Sequence, residues 1–84
     1  MNTLTRGQIV AMIRAEVSKY HDGEFTDQAD FTKDLRLASD DLTEVAISLE
    51  RLLGVKLDAR SYREITNVDA YATAIQRRLQ AGLT

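Results

Sequence analysis

The 84-residue chain has no cysteine, no proline and no tryptophan, and a single histidine. Without cysteine there is no disulfide and no thiolate metal site to support so small a domain. Stability then has to come from efficient helix packing around one modest core. Without proline no helix is broken from within. Only five aromatic residues are present (two Phe, three Tyr) and no stripe is basic, which sets aside nucleic-acid binding. No apolar run approaches membrane-spanning length, so no membrane span is expected. The opening MNTLTRGQ lacks the basic and then apolar pattern of a secretory leader, and a cytoplasmic protein is expected.

Charge is unevenly spread. The formal net charge is −2. Residues 38–69 hold four basic and seven acidic groups, whereas residues 70–84 hold two basic and none acidic. The middle of the chain is acidic and its tail mildly basic.

Helical spacing dominates. Thr5 with Gln8 fits a capping box, and Leu4 can staple onto Ile9. Ile9, Ile13, Val17 and Tyr20, with Val10 beside them, make one face of a first helix ending near Tyr20. A long connection follows, roughly residues 21 to 38, with Phe25, Phe31, Leu35 and Leu37 as its anchors. A second helix starts at Ser39 or just after. Leu42, Val45, Ala46, Leu49, Leu52 and Leu53 form its apolar stripe, Asp40, Asp41 and Glu44 suit the positive end of its dipole, and Gly54 suits its C-terminal cap. Asp58 is a cap for a short helix to about Glu64. Thr66 with Asp69 resembles a capping box for a last helix, whose buried face is Val68, Tyr71, Ala72, Ile75 and Leu79. The expectation is an all-α fold, a small four-helix bundle of three main helices and one short one, with a long loop between helices 1 and 2.

Candidate chemistry is sparse. His21 beside Asp22 lacks the arrangement of a catalytic base for Ser39, and no metal-ligand cluster exists; HDGEFTDQAD misplaces the glycine and terminal glutamate of a calcium loop. Spacing alone reads Ser39 as a helix N-cap. Ile47 lies opposite Leu49 on the helical wheel among Thr43, Glu44 and Arg51. It is either a stray exposed isoleucine or an apolar anchor in a charged rim.

The segment DLRLASDDLTEVAISLERLLGVKL, residues 34–57, resembles acyl carrier proteins. Their usual segment runs D-L-G-L-D-S-L-D-x-V-E-L-x-x-x-L-E-x-x-F-G-I-x-I. Asp34, Leu35, Leu37, Ser39, Asp41, Glu44, Leu49, Glu50 and Gly54 match without a gap. Phe31 fits the lead-in, and ITNVDAYATAIQRRL is similar to the closing segment. The resemblance covers essentially the whole chain. It implies a 4′-phosphopantetheine arm, taken from coenzyme A by a phosphopantetheinyl transferase and attached to Ser39, carrying acyl groups as thioesters between acyl-transferring or acyl-synthesising enzymes. Such a chain is not itself an enzyme and is expected to be monomeric. The resemblance further implies a partner face at Asp40, Asp41, Glu44, Ile47 and Glu50, and an acyl pocket lined by Val45, Ala46, Leu49 and Leu53. Four positions depart from the family pattern. Ala38-Ser39-Asp40 stands for Asp-Ser-Leu, Arg36 for glycine, and Arg51 for an acidic residue. These departures point to a specialised fatty-acid, lipid or polyketide pathway. The alternative reading is an unmodified bundle acting as a protein-interaction subunit.

Overall fold

A computed structural model of the chain describes residues 4–81. Four helices follow one another: α1 Arg6–Val17, α2 Ser39–Leu53, α3 Ala59–Glu64 and α4 Val68–Ala81. No strand occurs among the described residues, and the architecture is a small helical bundle.

The α1 start is the reciprocal box expected from Thr5 and Gln8. The Gln8 N–H donates to Thr5 Oγ1 at 3.1 Å, and the Thr5 N–H donates to Gln8 Oε1 at 2.8 Å. The helix stops at Val17, earlier than its apolar spacing suggested. A tightened turn follows, in which Lys19 N–H bonds the Glu16 carbonyl and Tyr20 N–H the Val17 carbonyl. That turn swings Tyr20 out of the expected face and leaves it 38% exposed. Ile9, Ile13 and Val17 are fully buried and make α1 the central helix, packed against both α2 and α4.

The long connection is held by specific bonds and apolar anchors. Phe31, Leu35 and Leu37 are buried, and Phe25 is half-buried. The Arg14 guanidinium donates to Asp27 Oδ1 at 2.7 Å and to the Phe25 carbonyl at 2.8 Å, and lies 4.3 Å over the Phe25 ring. Phe31 N–H bonds the Thr66 carbonyl at 2.8 Å, and Asp69 N–H bonds the Asp27 carbonyl at 3.0 Å, so the loop is stitched to the start of α4. Asp30 closes a turn by accepting from the Lys33 and Thr32 amides. The Lys33 amide bond chiefly holds the Asp30 carboxyl below its ordinary value.

Two further expectations are corrected. Leu52 is 60% exposed and leaves the α2 stripe, because α2 packs chiefly on α1 and Leu52 lies off that contact. The α4 cap is Asn67, whose Oδ1 accepts from the Ala70 N–H at 2.7 Å. Thr66 instead gives its carbonyl to Phe31, and Asp69 pairs with Arg6 at 2.6 Å. Asp58 caps α3 as expected, accepting from the Ser61 N–H at 2.8 Å, the bond that chiefly lowers its carboxyl's pKa. Gly54 ends α2 in the left-handed region at φ 67, a conformation that glycine adopts without a side-chain penalty.

Candidate functional site

The segment that delivers Ser39 is built by alternation. Leu35 and Leu37 are buried, and Arg36 between them is exposed. Arg36 is the one non-glycine residue with positive φ among those described, at 56°. That left-handed step, costly for a side chain with a Cβ, turns the chain between its two anchors. Leu37 N–H then bonds the Phe31 carbonyl at 2.9 Å, and Ala38 opens α2.

Ser39 is therefore not the N-cap. The capping position belongs to Ala38, which has no side-chain oxygen and makes no side-chain cap bond. Only half of a capping box survives: Asp41 Oδ2 accepts from the Ala38 N–H at 3.3 Å. Ser39 is the first residue inside the helix and is exposed. Its carbonyl accepts from Thr43 Oγ1 at 3.0 Å, whereas its hydroxyl makes no hydrogen bond among the described residues. A serine freed from capping is a reachable hydroxyl at the positive end of the helix dipole.

Asp40 and Glu44 are exposed around it and Asp41 is half-buried. Ile47 lies about 12 Å further along the helix. It is 39% exposed and borders a groove of about 380 Å³ completed by Glu50, Arg51, Gly54, Val55 and Lys56. Glu50 also looks elsewhere: its carboxylate accepts the Tyr62 hydroxyl from α3 at 2.7 Å. Val45 and Leu49 are closed into the core, with Ala46 and Leu53 half-buried beside them. None of these four lines the Ile47 groove or a second one of about 680 Å³ between α3 and α4, which Leu57, Ser61, Ile65, Thr73 and Arg77 help to line.

His21 sits edge-on to Phe25 with ring centroids 5.6 Å apart, and is hydrogen-bonded to neither Asp22 nor Ser39. No group of three or more potential metal ligands gathers among the described residues. No helix among them is long and apolar enough to cross a membrane.

The feature that sequence reasoning missed is a polar cluster where α2, α3 and α4 meet. Tyr62 and Tyr71 meet edge to face at 6.2 Å between centroids and 88°. Burial, then the bond to Glu50, pushes the Tyr62 hydroxyl's pKa well upward. Burial pushes that of Tyr71 up to about 12. The Tyr71 hydroxyl is buried beside that of Tyr62 and meets no full hydrogen-bond geometry among the described residues. The signal in the sequence was two tyrosines nine positions apart, and helical spacing placed only Tyr71 in the core.

No family model matches the chain. A search of curated proteins likewise finds no match.

Proposed function

We propose that this protein is an acyl carrier, bearing acyl intermediates as thioesters on a 4′-phosphopantetheine arm attached to Ser39. The observation that carries the reading is Ser39 itself: exposed, first in a 15-residue helix, relieved of capping by Ala38, and with a hydroxyl that bonds nothing among the described residues. The resemblance of residues 34–57 to acyl carrier proteins supplies the chemistry. A phosphopantetheinyl transferase presents coenzyme A, the Ser39 oxygen attacks the phosphate next to the pantetheine, and the nucleotide half leaves. The arm ends in a thiol, and acyl-synthesising or acyl-transferring enzymes load and unload it. The protein performs no reaction alone, works as a cytoplasmic monomer, and meets its partners through Asp40, Asp41, Glu44 and Ile47. Because Ala38, Asp40 and Arg36 depart from the family pattern, those partners belong to a specialised fatty-acid, lipid or polyketide pathway.

A second reading, an unmodified bundle that serves as an interaction subunit, is favoured by one observation: Val45 and Leu49 are fully packed in the core and line neither groove. Intact mass separates the two. After incubation with coenzyme A and a broad-specificity transferase, and after co-expression with transferases of the native host, the wild type is expected to gain one phosphopantetheine and Ser39→Ala none. A wild type that stays unmodified in both settings sinks the carrier reading.

A further inference from the structure

The groove of about 680 Å³ between α3 and α4 has the size of a small-molecule site. Leu57, Ile65, Ala70 and Ala74 give it a half-buried apolar lining. Its two ends differ in charge. Glu64 lies at one end with Ile65 and Ala70, and the other end gathers Lys56, Arg77 and Arg78 against the one carboxylate of Asp58. That carboxylate is engaged as the α3 cap, accepting from the Ser61 N–H. Arg78 Nε donates to the Lys56 carbonyl at 3.3 Å and so draws the end of α4 against the segment before α3. The Lys56 and Arg77 side chains are exposed and form no ion pair or hydrogen bond among the described residues. The dipole of α4 accounts for cations in its last turns, but not for Lys56, which reaches the same spot from outside any helix.

The acidic end is the one nearer Ser39. Phe31 donates its N–H to the Thr66 carbonyl at 2.8 Å and accepts the Leu37 N–H at 2.9 Å. Phe31 alone therefore stands between Thr66, next to Ile65, and Leu37, two positions before Ser39. From Ala70 the groove follows α4 for about 10 Å to Arg77.

Resting on the carrier reading, we propose that the α3–α4 groove receives a carried chain that ends in a carboxylate, with Lys56 and Arg77 as the groups that recognise it. The methylenes lie along Leu57, Ile65 and Ala74, and the terminal oxygens meet the two free cations. A methyl-ended chain gains only the apolar lining and leaves those cations without a counter-charge. A chain that is too short holds its carboxylate near Glu64, which repels it, so length matters as well as charge. Exposed ion pairs add little to stability, and the carboxyl group's own titration is the sharper readout.

The test uses the full chain, loaded at Ser39 from coenzyme A analogues carrying amide-linked hexanedioyl, octanedioyl or decanedioyl groups with an isotopically labelled terminal carboxylate. Methyl-ended chains of the same lengths are the controls. Intact mass verifies each product, carbon NMR follows the carboxyl titration, and backbone amide shifts locate the chain. For at least one length the carboxyl is expected to titrate about one pH unit below the same analogue free in solution, as a carboxyl does beside cations. The amides of Leu57, Ile65 and Ala74 should shift with it, and less for the methyl-ended chain. Lys56→Gln combined with Arg77→Gln should return the titration to its free value while loading to the same extent. If no length titrates lower, if the lowering survives in the double variant, or if methyl-ended chains shift the same amides as much, the assignment is overturned. The wild-type series decides the matter even if the variant folds poorly. Failure to load at Ser39 overturns the carrier reading and this inference with it, whereas loading with an unshifted titration overturns this inference alone.

Discussion

The seam between α1 and α4 and the junction of α2 with α3 differ in how completely their polar groups are satisfied. At the seam, Ile9, Ile13, Ala72 and Ile75 are buried. Over them the Arg6 guanidinium spans the two helices, donating to Gln76 Oε1 at 2.7 Å, Thr73 Oγ1 at 3.2 Å and both the carboxylate and carbonyl of Asp69. At the junction a single 2.7 Å bond joins Glu50 to Tyr62, and behind it the Tyr71 hydroxyl completes no well-formed bond among the described residues. Satisfied seams specify one arrangement, and partly satisfied polar clusters are where a small bundle opens at least cost. The contrast assigns stability to one side of the molecule and adaptability to the other.

The largest test of that contrast is Ile13→Ala on the seam. It should cost about 2–5 kcal/mol, read as a lower urea midpoint with every helix unfolding together. Tyr62→Phe at the junction should cost about 1 kcal/mol for the lost bond to Glu50. Its effect should be local, with faster amide exchange in α3 than in α1; equal acceleration in both helices would break the comparison. The junction also has a pH signature. Both tyrosine pKa values are raised on folding, so their contribution is fully present below about pH 10, the ordinary tyrosine value, and is lost as pH climbs above it. Chemical denaturation between pH 8 and 11 should show that fall, and Tyr62→Phe should flatten it.

Smaller effects are expected away from both regions. Arg36→Gly should stabilise by about 0.5–1 kcal/mol, because glycine removes the left-handed penalty at φ 56 but surrenders more chain entropy. Equilibrium unfolding that shows a loss instead would mean that the arginine side chain contributes contacts which offset its strain. Ser39→Ala should change stability least, by less than about 0.5 kcal/mol, since the serine caps nothing. A cost nearer the 0.5–2 kcal/mol of a true N-cap would restore the capping role to Ser39.

Much of the fold was legible from local chemistry. The Thr5–Gln8 box, the Asp58 cap and the Gly54 terminator each act within a few residues, so the identities of those residues suffice to place them. The loop anchors Phe31, Leu35 and Leu37 were legible too, because isolated apolar residues in a polar connection must find cover. The misses share a different cause. Tyr20 and Leu52 obey helical periodicity but lie where α1 has already ended and where α2 has no neighbour to meet. Asn67, directly before Val68, caps α4 through its Oδ1, while the Thr66 backbone is held outside the helix by Phe31, distant in sequence.

At the candidate site the same division holds. Short-range pattern alone determined that α2 begins beside Ser39, with acidic residues in its first turn and Ile47 off its apolar stripe. Hydrophobic spacing and dipole preference are properties of a single helix and need no partner. Which residue takes the cap was decided one position away from expectation, by the turn that Arg36 makes between two buried leucines. The meeting of Glu50, Tyr62 and Tyr71 was decided only when three helices closed on one another. Pairing between distant side chains depends on distances that a linear order does not contain.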